Sequence, residues 1–82
     1  MTVLRVGADS EISIPMSGYS AAIALGTVNG KVIGFYLISR GLRDVIITPL
    51  TEESKSDDFA VSVVGDGVSI RTKSSTDMKI IY

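Results

Sequence analysis

The dipeptide Asn29-Gly30 separates two long apolar segments, Tyr19 to Val28 and Lys31 to Arg40, and it constrains the fold more than any other feature of the chain. A two-residue type I′ turn needs positive φ at both central positions, and Asn-Gly between apolar runs is the strongest short-range signal for it. With the turn placed there, Val28 faces Lys31, Gly26 faces Ile33, Ala24 faces Phe35 and Ala22 faces Leu37. The other face then pairs Leu25 with Gly34, Ile23 with Tyr36, Ala21 with Ile38 and Tyr19 with Arg40. Small residues oppose large ones, and neither face is polar. A hairpin at the surface of a monomer alternates apolar and polar sides, so this one is predicted to lie between two buried layers.

Turn signals recur through the rest of the chain, and no stretch sustains apolar residues at i, i+3, i+4 and i+7. Thr2 to Val6 and Glu11 to Ile14 alternate and read as short edge strands, the second stopped by Pro15. Arg43 to Thr48 is β-branched in its last four positions and ends at Pro49, which suggests a strand buried from both sides. Phe59 to Lys73 reads as a second hairpin turning at Asp66-Gly67, with Val63 opposite Ile70 and Val61 opposite Thr72. Asp77 to Tyr82 is a last strand, with Met78, Ile80 and Tyr82 on one face, and its apolar ending predicts a C-terminus tied into a sheet. The expectation is an all-β fold, an antiparallel β-sandwich of about seven to eight short strands in a single domain over residues 1–82.

Composition narrows the chemistry. At 82 residues, a domain buries only roughly 60% of its unfolded surface, so its stability is thin without added support. Cysteine and histidine are both absent, which removes disulfides, thiolate chemistry and the usual general base and metal ligand together. The 45% hydrophobic content against 21% charged residues leaves apolar surface for oligomerisation instead. With a net charge of -1 and dispersed basic residues, no nucleic-acid surface is expected. The apolar runs are too short for a membrane-spanning helix, and no leader of the secretory kind opens the chain, so a soluble protein without a signal peptide is expected.

Motif searches return structural readings. Thr51 to Asp58 carries Glu52, Glu53, Lys55, Asp57 and Asp58 and reads as a solvated loop, because the spacing of a calcium loop is missing. Gly65-Asp66-Gly67 is followed by a strand, where a dinucleotide fingerprint needs a helix. Asp57 and Asp58 are adjacent, so in an extended chain their carboxylates diverge. Tyr19, Phe35 and Tyr36 could stack on sugars but read as core or interface. Arg40, Arg43 and Arg71 could each end in a recognition surface and read as easily as solvated strand-end charges. No catalytic residue, metal ligand or cofactor is expected.

The order Ile12-Ser13-Ile14-Pro15, Gly18-Tyr19-Ser20, Gly34-Phe35-Tyr36-Leu37-Ile38, Ile47-Thr48-Pro49-Leu50 and Val61 through Ile70 resembles the C-terminal β-rich modules of bacteriophage tail fibres and related tail proteins. The resemblance implies a compact β-sandwich in the virion tail, assembled as a homotrimer, serving a structural role and contacting a host cell-surface glycan or protein. It supplies no binding residues. The residues themselves point to self-association through one face of the first hairpin, and Ala22, Ala24, Ile33, Phe35 and Leu37 are the expected interface. A non-enzymatic fibre module is the favoured reading. The alternative is a free-standing carbohydrate-binding β-sandwich, which would act as a monomer.

Overall fold

A computed structural model describes residues 2–55, 57–65 and 67–81. Tyr82, expected beside Ile80, and Asp66, expected in the second turn, lie outside them. The described chain is an all-β sandwich of eight antiparallel strands: β1 (Thr2–Val6), β2 (Ser10–Pro15), β3 (Ser20–Val28), β4 (Lys31–Arg40), β5 (Val45–Pro49), β6 (Phe59–Val64), β7 (Gly67–Thr72) and β8 (Thr76–Ile81). They form a five-stranded sheet in the order β1-β8-β3-β4-β5 and a three-stranded sheet in the order β2-β7-β6. As the sequence suggested, β1 and β2 are edge strands. The last strand lies inside the large sheet, paired with both β1 and β3.

The first turn forms where Asn29-Gly30 put it, with φ of 52° and 77° at the two residues. Val28 pairs with Lys31 as expected. Beyond the next pair the register slips by one. Thr27 pairs with Val32 but Gly26 pairs with Gly34, so Ile33 is the extra residue of a β-bulge. A one-residue slip moves one strand's side chains to the opposite face relative to its partner. The expected pairings of Ala24 with Phe35 and Ala22 with Leu37 are therefore replaced by Ala24 with Tyr36 and Ala22 with Ile38. The inner face carries Ala22, Ala24, Gly26, Gly34, Tyr36 and Ile38, and the outer face carries Ala21, Ile23, Leu25, Phe35 and Leu37.

Phe59 explains the slip. Its side chain is fully buried, and its ring rests on the two paired glycines of the large sheet. A Cβ at Gly26 would stand 2.4 Å from the ring, and one at Gly34 would stand 2.3 Å from it. Only a glycine pair leaves room for an aromatic ring that close to the sheet backbone. Tyr36 stacks beside it, with ring centroids 6.0 Å apart. Ile38, Ile70, Val68 and Met78 complete the core around them.

The second hairpin also shifts, by two positions. Val64 pairs with Gly67, so the strands turn directly after Val64, where Gly65 has a φ of 57°. Gly67 is spent on a close approach instead, since a Cβ there would meet the Ile14 carbonyl at 2.2 Å. An even shift preserves the faces, so Phe59 and Val61 point inward as the alternation requires. β5 corrects another expectation. It is an edge strand buried on one side only, with Ile46 56% exposed.

Removing the ring tests this seat. Phe59→Ala should cost about 3–5 kcal/mol in urea denaturation, the usual range for a buried Phe. Gly34→Ala alone should cost about 1–3 kcal/mol by overpacking. Combined, the added methyl enters the vacated space, so the pair should be less destabilising than the sum by about 1 kcal/mol or more. Simple additivity would mean that the ring does not occupy the notch.

Candidate interaction surface

The charged segment at 51–58 holds more structure than a solvated loop. Glu52–Lys55 form a single 3-10 turn, and Ser54 inside it is buried. β5 stops pairing at Pro49, after which the Leu50 amide donates to the Phe35 carbonyl at 2.8 Å. The Ser54 hydroxyl then takes the place of the next strand carbonyl. It accepts from the Phe35 amide at 2.7 Å and donates to the Phe35 carbonyl at 2.9 Å. Thr51 Oγ1 lies 3.0 Å from the same hydroxyl. One carbonyl further, the Tyr36 hydroxyl donates to the Ser54 main-chain oxygen and lies 3.3 Å from that of Phe59. This segment is a clasp that ties β4 to the start of β6. Among the described residues no group of three or more carboxylates is placed to hold a metal ion.

Open grooves lie among the described residues. One, of about 690 Å³, is lined by Ser13, Ile14, Pro15, Met16, Ser17, Val64, Gly67 and Val68. None of these is titratable, so the groove offers no acid or base for proton transfer. Another, of about 370 Å³, includes Asp9, Glu11, Arg71 and Lys73. There Arg71 and Glu11 pair across the strands at 3.0 Å, both side chains well exposed, as charges on a sheet edge do. The three aromatic residues do not make a joint platform either. Tyr36 is buried, Phe35 is half-buried on the outer face, and Tyr19 is 79% exposed on the loop before β3.

What remains is the outer face of the five-stranded sheet. The small sheet covers only the other side. Across the outer side, Ile81 pairs with Ile23 and Ile23 with Leu37, while Leu25 sits opposite Phe35 one step along. Ile46 on β5 extends the patch past Ser39, and it and Ile81 are exposed. Charge is confined to one margin, where Lys79 lies opposite Leu25 and Arg5 pairs with Asp77 at 3.2 Å. The four strands that carry these residues, at about 4.8 Å spacing and with about five residues each at 3.3 Å rise, make a patch of roughly 300 Å², the size of the largest apolar patch on many monomers and often a functional one.

The five residues expected at an interface do not share a face. Ala22 and Ala24 are in the core, Ile33 packs against the core from the bulge, and Phe35 and Leu37 are on the outer side. The outer patch instead joins Phe35 and Leu37 to Ile23, Leu25, Ile46 and Ile81. Carrying the register of the turn unbroken past Thr27 put Ile23 and Leu25 on the face opposite Phe35 and Leu37, and Ile46 and Ile81 lie on strands outside the hairpin. The Gly26-Gly34 pair was the available signal, since two glycines that oppose each other mark a place where something approaches the sheet closely. No family model matches the chain, and no curated protein or solved structure matches it. Among the described residues no helix is long and apolar enough to cross a membrane.

Two measurements test the clasp. Ser54→Ala leaves the Phe35 amide without its acceptor and should cost about 1–3 kcal/mol, the penalty for an unpaired buried donor. Tyr36 should also govern the alkaline limb. Burial raises its hydroxyl above the ordinary 10.0, so above that pH the unfolded chain loses this proton before the folded chain does. The contribution is complete below the unfolded value and is lost as pH rises through the folded one. The stability gap between wild type and Tyr36→Phe should therefore narrow above about pH 10, and a constant gap would contradict this placement.

Proposed function

We propose that the chain is a non-catalytic structural module that self-associates through the outer face of its five-stranded sheet, as a homotrimer within a bacteriophage tail fibre or a similar appendage. The observation that carries the self-association is the continuous apolar surface of Ile23, Leu25, Phe35, Leu37, Ile46 and Ile81 on a sheet whose other face is already filled. Single exposed apolar residues need no explanation, but a row spanning four adjacent strands does.

A three-fold arrangement suits a flat face of this kind. Three sheets set around an axis turn their outer faces inward and bury them together, and each copy then meets two neighbours. One pairwise contact between two such faces buries only about 600 Å² in total, below the roughly 1,000–1,200 Å² of small specific interfaces, so the choice of three copies rests on the sequence resemblance and not on the area of this face. Placement in the tail, and contact with a host-surface glycan or protein, rest on the sequence resemblance. The loop carrying the exposed Tyr19 lies beside Leu42, which is also exposed, and supplies a surface at one end of the sandwich for such contact.

Sedimentation of charge variants tests the reading. Leu37→Lys and Ile23→Lys place a charge on the outer side, away from the core, so each chain should stay folded while the trimer dissociates to monomer. Ser39→Lys, nearer the margin, should weaken it less. Folded Leu37→Lys and Ile23→Lys with unchanged mass would overturn the proposal.

A further inference from the structure

We infer that Asn29 is a site of spontaneous chemical modification in the folded protein, where attack by the Gly30 amide nitrogen converts its side-chain amide to aspartate and isoaspartate. Asn29 is the only asparagine of the chain, and glutamine is absent. It is followed by glycine, the residue that shields the attacking nitrogen least and restricts its approach least. Both residues are exposed, and a Cβ at Gly30 would meet nothing within 4 Å. The Gly30 nitrogen also has no competing bond. Val28 and Lys31 close the turn and exchange the ladder bonds, so the Gly30 N–H lies outside the ladder. Among the described residues no backbone acceptor meets it.

The closed turn, with φ of 52° at Asn29 and 77° at Gly30, is not itself the reactive conformation. Closing a succinimide ring rotates the Asn29–Gly30 linkage out of the turn geometry, so the hairpin tip must open first. The sheet leaves it free to do so. β8 pairs with β3 from Ile23 to Thr27, and β5 pairs with β4 from Tyr36 to Arg40. Residues 28–32 run past both neighbours as a two-stranded ribbon, and none of them is buried. The bulge at Ile33 and the Gly26-Gly34 pair beneath Phe59 stand between this tip and the core. Opening therefore breaks the pairs of Val28 with Lys31 and Thr27 with Val32 and stops at the notch, which puts the tip at the low end of local stability.

In the reaction the Gly30 nitrogen forms a bond to Cγ of Asn29, its proton passes through water to the departing Nδ2, and ammonia leaves. Water then opens the succinimide. Cleavage of the bond between the nitrogen and Cγ restores the main chain with aspartate at this position. Cleavage between the nitrogen and the main-chain carbonyl carbon leaves isoaspartate, whose backbone runs through Cγ and is one carbon longer. In sum one water is consumed and one ammonia released, with no change of oxidation state. Both products add a negative charge to a chain of net charge -1. The longer backbone of isoaspartate does not fit a two-residue turn, so it parts Val28 from Lys31, while the glycine pair and the strands beyond it keep their register.

Incubation of the intact, folded chain at mildly alkaline pH tests the inference. An acidic species and free ammonia should appear at a rate that grows in proportion to hydroxide, with the change located by the mass of the peptide that contains residue 29 and isoaspartate detected by enzymatic methylation. Because no other side-chain amide exists, ammonia reports on this one position; Asp66-Gly67 can close the same ring but would release water. Asn29→Gly keeps a pair of residues suited to the turn and should release no ammonia over the same period. In the isoaspartate form, the Val28 and Lys31 amides should exchange about tenfold faster or more, while those of Leu25 and Tyr36 stay as they were. Conversion in the chain unfolded by guanidinium but not in the folded chain would overturn the inference, because the closed turn would then protect Asn29. Loosening of Leu25 and Tyr36 together with the tip would overturn the isolation of the tip from the core.

Discussion

The aromatic ring of Phe59, set into the notch between Gly26 and Gly34, is the constraint on which the other features of the sandwich depend. The ring belongs to the small sheet and the notch to the large one, so a single contact fixes how the two layers sit. To present both glycines to the ring, β3 and β4 must pair them directly, and that pairing requires the bulge at Ile33. The bulge in turn decides which residues of β4 face inward. Tyr36 and Ile38 enter the core while Phe35 and Leu37 are sent outward. The apolar outer surface is thus a consequence of the core's geometry.

This chain of dependence shows what sequence alone could and could not yield. Strand number, antiparallel class and the Asn29-Gly30 turn were legible, because turn chemistry and alternation are local. So was the inward side of β6, since a shift of two positions keeps the period of a strand intact. The bulge was not legible. It inserts one residue in response to a ring some 25 positions downstream, and one residue is the smallest error that exchanges faces. The same limit applies to Gly67, a turn residue by composition that is used for close approach to Ile14. Ser54 was hidden for a related reason. In a run of charges a serine reads as solvent-facing, yet its hydroxyl continues the ladder where Pro49 ends it. Two apolar faces on the hairpin were visible from the start, although four of the six residues that line the outer one were not.

The outer sheet face offers area without directional bonding, suited to stable association driven by burial. A domain of 82 residues with no cysteine has few other routes to stability, and association through an exposed sheet face is one of them.

The central claim is that the outer face is covered by other copies. Quenching of methyl resonances by a soluble paramagnetic agent measures it directly. If the account holds, the methyls of Ile23 and Leu37 will be shielded nearly as well as that of the core residue Ile38, while Leu42, which is 60% exposed, broadens strongly. Quenching of Ile23 and Leu37 to the extent seen for Leu42 would show that the face is open to solvent and contradict the account.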